Sequence, residues 1–157
     1  MVKKNERSLT STLDVNKISD TTIYSDSSYP NSSESTMLRV GVMDDGTVAR
    51  TLLKFELPVI PAGYKMVKAT LVLPSHPNIT DLEYSTDRSV QVYALNNEWQ
   101  ESSASWSSMN NSYDSYLYDY FFGSNSVGGS EANTIVFNEA NVTELVEKWY
   151  DGTLTNN

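Results

Sequence analysis

Short segments of alternating apolar and polar residues, separated by proline, glycine and asparagine clusters, constrain the fold of this chain more than any other feature. They occupy residues 38–42, 49–57, 66–73 and 89–95. The Asp45-Gly46 pair between the first two is typical of a hairpin turn, and no helical stretch separates the segments. Hydrophobic residues make up 39% of the chain and charged residues 20%, a composition that excludes a disordered protein. The pattern predicts an all-β fold of antiparallel strands, a sandwich or a barrel.

Near the C-terminus the period of the apolar residues becomes that of a helix. Four of them fall at i, i+3, i+4 and i+7: Val142, Leu145, Val146 and Trp149. We expect Asn141 to cap this short amphipathic helix, with Glu144 at the reciprocal position of a capping box. Gly152 is well placed to end the helix. Residues 134–137, which precede it, are expected to form a strand.

Two stretches lack a clear period. Residues 1–19 are polar and are expected to be a disordered or linker tail, so that a single domain covers residues 20–157. Residues 96–133 are rich in Ser, Asn and Tyr and are expected to form a long loop with some extended structure. Residues 1–20 contain no apolar region of the kind found in signal peptides, and we expect no membrane span.

The inventory of catalytic side chains is thin. The chain has no cysteine and a single histidine, His76, which lies in an expected loop between Pro74 and Pro77. Disulfides, thiol catalysis and zinc sites built on thiolates are therefore excluded. There is no Gly-x-Ser-x-Gly elbow for a serine nucleophile. We expect no catalytic residues, and hence no enzyme. The net charge of -9 also argues against a nucleic-acid partner, because binding phosphates requires clustered Lys and Arg.

The sequence defines no metal site. Asp44-Asp45-Gly46 resembles the start of a calcium loop, but the ligand spacing of an EF-hand does not continue. A hairpin turn is the favoured interpretation of this segment. No cofactor is expected, although the sequence leaves open a structural calcium ion bound by another loop.

The distribution of charge suggests one candidate ligand-binding surface. From residue 89 onward there is one cation, Lys148, against nine acidic residues, so the cations of the structured part gather in the early strands. Strand parity separates Arg50 and Lys54 from Leu53 and Phe55. If the strands are neighbours, one exposed sheet face carries six ligand-binding candidates: Arg39, Arg50, Lys54, Lys68, Gln91 and Tyr93. Since guanidinium groups pair with carboxylates, such a face would suit an anionic sugar. The alternative is an ordinary solvated sheet face.

The three tryptophans admit two interpretations, because exposed aromatic side chains often form platforms for carbohydrates. Trp149 belongs to the apolar stripe of the predicted helix and is expected in the core. Trp99 and Trp106 flank a serine-rich turn, and packing of that loop onto the sheets is the favoured interpretation for both.

Several segments in order resemble the DNRLRE domain, a disaggregatase-related repeat of microbial secreted and wall-associated proteins. The first are Asp20-Thr21-Thr22-Ile23-Tyr24, Leu38-Arg39-Val40-Gly41 and Arg50-Thr51-Leu52-Leu53-Lys54-Phe55-Glu56-Leu57-Pro58. The later ones are Val67-Lys68-Ala69-Thr70-Leu71-Val72-Leu73, Val90-Gln91-Val92-Tyr93, Trp99-Gln100-Glu101 and the residues from Val142 to Gly152. Each segment is weak by itself, whereas their order and spacing are specific.

The resemblance implies a jelly-roll-like β-sandwich with one short helix near its C-terminus. It also implies an extracellular or cell-surface setting within a larger secreted protein, and a likeness to carbohydrate-binding modules for acidic polysaccharides. The family pattern continues past the helix into a final strand, whereas this sequence stops at Asn156-Asn157. We therefore expect a domain without that strand. Truncation, cleavage and a complementing β-strand from another polypeptide are the alternatives.

These observations lead to one expected function and two alternatives. The first expectation is a non-catalytic extracellular module with a structural or adhesive role in a larger microbial protein. One alternative is a carbohydrate-binding module for an acidic polysaccharide, such as a cell-wall glycan. The other is a fragment that a β-strand of another chain completes.

Overall fold

The computed structural model describes residues 9–29, 37–74, 89–122 and 137–157. Its strands are β1 (Ile18–Tyr24), β2 (Gly41–Val42), β3 (Val48–Phe55), β4 (Thr70–Pro74), β5 (Ser89–Val92), β6 (Asp119–Phe122) and β7 (Phe137–Asn141). Two helices, α1 (Trp106–Met109) and α2 (Thr143–Asp151), and a short 3-10 turn at Val15–Lys17 complete the elements. His76, residues 134–136 of the expected strand and residues 123–133 of the expected long loop lie outside the described residues.

The strands form three antiparallel sheets. The first has the order β1-β3-β2, the second joins β4 to β7, and the third joins β5 to β6. β1 pairs with β3 along its whole length, from Ile18 opposite Phe55 to Tyr24 opposite Ala49. The expected all-β sandwich of antiparallel strands with a helix near the C-terminus is therefore confirmed.

β1 begins two residues before Asp20, the first residue of the expected domain. Pairing with the end of β3 accounts for this start, because Glu56 donates its backbone N–H to the Lys17 carbonyl at 2.8 Å. The ammonium of Lys17 also lies 3.7 Å from the Glu56 carboxylate. The strand therefore reaches into the polar stretch that lacks any periodic signal.

The predicted hairpin between β2 and β3 is present. Gly46 has a φ of 84° and donates its N–H to the Met43 carbonyl at 2.9 Å. The Asp45 carboxylate accepts the Thr47 N–H and the Tyr29 hydroxyl, each at 2.8 Å. Those two bonds hold the pKa of Asp45 below its usual range, with the Thr47 N–H as the larger cause. In this structure the carboxylate therefore stabilises a turn.

Helix α2 confirms the predicted apolar stripe, but its N-terminus differs from the expected capping box. Val142, and not Asn141, occupies the N-cap position. Asn141 still accepts the Thr143 backbone N–H at 3.1 Å. Glu144 bonds to other side chains instead, with the Lys148 ammonium 2.8 Å away. Gly152 ends the helix in the left-handed conformation, as predicted.

Helix α1 lies in the stretch that the sequence predicts to be a loop. Ser105 caps it: the Ser105 hydroxyl accepts the Ser108 N–H at 3.3 Å, and the Ser108 hydroxyl accepts the Ser105 N–H at 3.1 Å. This reciprocal pair replaces the usual Glu of a capping box with a serine. Four residues are too few for a helical repeat of apolar residues, so the sequence pattern does not predict this helix.

All the buried apolar side chains of the described residues except Ala49 form two clusters. The first cluster contains Ile23 of β1, Leu52 of β3 and three residues of the segment that includes α1: Trp99, Ala104 and Met109. The second cluster contains Ala94, Ala140, Val142, Leu145 and Val146, with Trp149 packed against it. Burial of Trp99 in the first cluster and packing of Trp149 on the second confirm the core positions expected for both.

Candidate functional site

The six predicted ligand-binding residues do not share one sheet face. That prediction required β3, β4 and β5 to be neighbours, whereas β3 pairs with β1 and β2, β4 with β7, and β5 with β6. Arg39 is exposed before β2, and Lys68 is exposed before β4. The expected common face is therefore wrong, and a ligand-binding role for each of the six residues stays a prediction.

The face of strand β3 that carries Arg50 and Lys54 is also not the open face that was expected. Arg50, Leu52 and Lys54 lie on one face of the strand. Leu52 is only 5% exposed and belongs to the same core cluster as Trp99 and Met109, so this face is covered there. Parity could not reveal this, because β3 has a leucine on each face and β1 buries three successive residues, Thr21, Thr22 and Ile23.

Arg50 lies at the margin of this covered face, among aromatic rings. Its guanidinium carbon is 4.8 Å from the ring centre of Trp106 and 5.2 Å from that of Tyr113. The guanidinium also donates to the backbone carbonyl of Asn110. Cation–π attraction and a charge-assisted hydrogen bond together fix the side chain in this position.

The aromatic surface continues from Tyr113 onto the two-stranded sheet of β5 and β6. The Tyr113 ring is 5.3 Å from the Tyr93 ring, and the Tyr93 hydroxyl donates to the Gln91 side-chain oxygen at 2.8 Å. Gln91 stands directly opposite Tyr120 in the β5-β6 register, so both side chains lie on the same face. We call these six residues the aromatic strip: Trp106, Arg50, Tyr113, Tyr93, Gln91 and Tyr120.

The aromatic strip places partly exposed aromatic rings and polar groups along one path of neighbouring side chains. Tyr120 is 52% exposed and Tyr113 37% exposed, while Tyr93 and Trp106 are half-buried. A tyrosine ring combines an apolar face with a hydroxyl that donates and accepts, and the Gln91 amide adds further donors and an acceptor. The strip can therefore hold a molecule that has both apolar C–H surface and many hydroxyl groups.

A comparison with protein families gives this chemistry a context. The family model described as carbohydrate-binding module family 96 matches residues 11–155. The chain belongs to carbohydrate-binding module family 96. No curated protein and no solved structure matches the chain. Membership agrees with the carbohydrate-binding class that the sequence resemblance implied.

Three residues of the strip in this family 96 module were among the sequence predictions: Arg50, Gln91 and Tyr93. The other three, Trp106, Tyr113 and Tyr120, belong to the stretch expected to be a loop. The outward direction of Tyr120 follows from the structure, in which its neighbour Phe121 packs on the second core cluster. Tyr113 carries no sequence signal either, because an isolated bridge to Leu95 positions it.

A second group of aromatic side chains in the module surrounds Lys148 of α2. The Lys148 ammonium lies 4.7 Å from the Tyr116 ring and 5.0 Å from the Tyr118 ring. Glu144 accepts from Lys148 and from the Tyr116 hydroxyl, the latter at 3.0 Å. The Lys148 bond is the larger cause that holds the pKa of Glu144 below its usual range. The pKa of Tyr116 is raised by its bond to Glu144. This group joins the chain before β6 to the helix.

The part of the chain that the structure describes offers neither a cluster of metal ligands nor a membrane-spanning helix. Residues 9–29, 37–74, 89–122 and 137–157 contain no group of three or more His, Asp or Glu side chains that could hold a metal ion. No helix in the same part of the chain is long and apolar enough to cross a membrane.

Proposed function

We propose that this domain is a non-catalytic module that binds a glycan chain along the aromatic strip. Membership of a carbohydrate-binding family supports a saccharide ligand. The observation that carries the proposal is the path of neighbouring side chains along the strip, from Trp106 beside Arg50 to Tyr120 opposite Gln91. We further propose that the module works outside the cell as part of a larger secreted or surface protein.

The chemistry of the strip suits a polysaccharide better than a compact ligand. Sugar rings have apolar C–H faces that stack on aromatic rings, and their hydroxyl groups bond to phenols and amides. The pairing of Tyr93 with Gln91 fixes one such phenol and amide beside each other, with the Gln91 nitrogen available as a donor. Preorganised side chains of this kind lose little conformational entropy when a ligand binds.

An acidic polysaccharide is the second candidate, and the position of Arg50 favours it. Arg50 is the cation of the strip, and its guanidinium has five N–H donors. Within residues 9–29, 37–74, 89–122 and 137–157, the guanidinium donates one hydrogen bond, to the Asn110 carbonyl. A uronate carboxylate at the Trp106 end of the strip would find donors there. Arg39 and Lys68 are not part of the strip, since they precede β2 and β4.

Substitution of two strip tyrosines tests the proposal. Tyr93→Ala and Tyr120→Ala should each weaken glycan binding by roughly tenfold, about 1.4 kcal/mol, which is typical of an aromatic residue at a binding hot spot. Affinity electrophoresis in gels that contain a neutral or an acidic polysaccharide measures retention. Stronger retention by the acidic polymer, lost in Arg50→Gln, would select the second candidate.

Tyr64→Ala is the matched control, because Tyr64 is also exposed but lies in the turn between β3 and β4. Its retention should equal that of the parent. If both strip variants are retained like the parent in a gel that retains the parent, the strip is not the binding surface. If no gel retains the parent, glycan binding itself is contradicted.

A further inference from the structure

Part of strand β3 has an edge that no described strand covers. On its first edge β3 bonds to β1, and Glu56 just beyond it donates its N–H to the Lys17 carbonyl. Alternate residues of a strand bond toward opposite edges, so the backbone groups of Leu53 and Phe55 face away from β1. On that second edge β2 pairs with β3 no further than Ala49. Within the described residues the second edge of β3 is therefore unpaired beyond the short strand β2.

The chain before β2 does not extend its pairing with β3. By the register of β2, Arg39 would stand opposite Thr51. Instead, the Arg39 N–H donates to the Thr22 hydroxyl at 3.1 Å, and the Arg39 carbonyl accepts from the Thr51 hydroxyl at 3.0 Å. Thr22 and Thr51 are opposite each other in the β1-β3 register, so both hydroxyls rise from one face of the sheet. Arg39 therefore lies over that face and not at the edge.

Strand β5 and the residues after it have an edge of the same kind. On the side of β6, the Val92 carbonyl accepts the Tyr118 N–H at 3.0 Å, and Asn96 donates its N–H to the Ser112 carbonyl at 2.8 Å. By the same alternation the backbone groups of three residues face the other edge: Gln91, Tyr93 and Leu95. In the described part of the chain no strand pairs with β5 on that edge.

The two unpaired edges meet at the C-terminal segment. The side-chain amide of Asn156 donates to the Phe55 carbonyl at 2.7 Å, and that of Asn157 donates to the Leu95 carbonyl at 3.1 Å. Side-chain amides thus bond to carbonyls that the backbone of a neighbouring strand would otherwise reach. Edges that consecutive residues can reach leave room for one strand between them, because neighbouring strands lie about 4.8 Å apart. We call this space the β3-β5 gap.

The side chains beside the gap indicate the sequence of a strand that would fit it. On one face of β3, Leu53 and Phe55 are half-buried and belong to neither core cluster. On the other face, the ammonium of Lys54 forms no ion pair within the described ranges. Apolar residues of an added strand would bury the leucine and the phenylalanine, and acidic residues on its opposite face would pair with the lysine.

We propose that the β3-β5 gap docks an extended segment of another polypeptide, one that alternates apolar with acidic residues and adds as a strand antiparallel to β3 and β5. Phe55 ends β3 and Leu95 follows β5, so a strand that enters at this end runs antiparallel to both. Its backbone bonds to both edges, and the amides of Asn156 and Asn157 release their carbonyls to it. The docking site uses backbone edges and no ring face, so it is independent of glycan binding.

A synthetic peptide tests the gap in the intact chain. The probe is an acetylated and amidated heptapeptide in which valine alternates with aspartate. Hydrogen exchange of the backbone amides, followed by NMR, reports which edges it covers. At saturation the amides of Leu53, Phe55 and Tyr93 should exchange about tenfold more slowly. The amides of Leu52 and Val92, which face β1 and β6, are internal controls and should change less.

Two matched changes test the assigned geometry, with affinity measured by fluorescence anisotropy of a labelled peptide. N-methylation of either alternate set of peptide residues removes the N–H groups toward one edge, so each set should lower the affinity about tenfold. Lys54→Glu should weaken binding of the valine–aspartate peptide and strengthen binding of a valine–lysine peptide, because it reverses the charge beside the strand. Lys65→Glu is the control, since Lys65 is exposed between β3 and β4, and both affinities should stay unchanged.

Slower exchange on both strands supports the docking site, whereas slower exchange on one strand alone indicates addition to a single edge and overturns it. The absence of saturable peptide binding also overturns it. If the Leu53 and Tyr93 amides are slow without peptide, the gap is already filled: by a second copy if dilution removes the effect, and by the chain itself if it does not. Either result contradicts another polypeptide as the occupant. Polysaccharide retention is measured without peptide, so failure of the docking site leaves the proposed function standing.

Discussion

The guanidinium of Arg50 has three partners that come from a single stretch of chain outside its own strand. Trp106, Asn110 and Tyr113 all follow β5, and each touches Arg50 by a ring face or a carbonyl. A lysine could not reproduce this arrangement, because stacking between rings requires a planar group. Arg50 therefore fixes the α1 segment onto β3 and shapes one end of the aromatic strip.

Replacing Arg50 should destabilise the fold as well as the strip. We expect Arg50→Ala to lower the free energy of unfolding by about 1–3 kcal/mol, from the lost cation–π contacts and the lost bond to a carbonyl. Arg50→Lys should recover less than half of this loss. Urea unfolding followed by circular dichroism measures both changes.

Arg39→Ala is the control for this series, since the Arg39 side chain is exposed before β2. A surface substitution of this kind should change the free energy of unfolding by less than about 0.5 kcal/mol. Equal effects of Arg50→Ala and Arg39→Ala would show that the aromatic contacts of Arg50 contribute nothing to stability.

At the residue scale, the sequence could identify part of the strip. Gln91 and Tyr93 alternate with apolar residues, so their outward direction follows from parity. Lys54 and Arg50 could not be placed, because their face of β3 is covered at Leu52 by residues of the distant α1 segment. Contacts between residues so far apart in the chain leave no local pattern.

At the scale of elements, helix α2 was predicted from residues that are close together in the sequence. Its stripe buries Leu145 and Val146 against β7 and the end of β5, and Gly152 follows at a φ of 78°. A Cβ at Gly152 would meet no atom within 4 Å. The requirement for glycine is therefore conformational and not steric.

Gly152→Ala should consequently lower the free energy of unfolding by about 1–2 kcal/mol, the cost of the left-handed conformation for an L-residue. Gly152→Asn should cost clearly less, because asparagine tolerates that conformation. Thermal and urea unfolding compare the two. If alanine and asparagine are equally destabilising, the left-handed C-cap is not the reason for glycine here.

The sequence predicted the existence of a strand more accurately than the residues at which the strand begins and ends. The segments predicted at residues 49–57 and 66–73 became Val48–Phe55 and Thr70–Pro74, because backbone pairing with β1 and β7 sets their limits. The sequence did not predict α1 and β6, which lie in a serine- and tyrosine-rich stretch. The Ser105 cap stabilises α1, and pairing with β5 stabilises β6.

For the whole molecule, hydrogen-bonded carboxylates link stability to pH. Bonds to neighbouring groups hold the pKa values of Asp45, Glu144 and Asp151 below their usual range. A lowered folded-state pKa gives stability that is present above the unfolded pKa and is lost as the pH falls through the folded pKa. Asp20 has the opposite sign, because burial and then the charge of Glu101 raise its pKa.

We therefore expect the urea midpoint of the domain to fall as the pH is lowered below about 4, the ordinary range of carboxyl groups. Asp45→Asn should reduce the steepness of that fall, because one of the three lowered groups no longer titrates. Asp44→Asn, which removes the neighbouring exposed charge, serves as the comparison. A pH profile that is identical for Asp45→Asn and the parent would contradict a contribution from the hairpin carboxylate.

The division of the apolar core into two clusters has a consequence for how a bound glycan would act on the protein. Arg50 and Trp106 lie beside the first cluster, whereas Gln91 and Tyr120 belong to the β5-β6 sheet, which packs on the second cluster. Local opening of either cluster would break the strip. A polysaccharide that contacts the whole strip would bind only while both core clusters are folded. Its binding energy would then oppose the local unfolding of either cluster, so that the two clusters would open together. The bound glycan would thus stabilise both clusters from outside the core, and the module would be most rigid while attached to it.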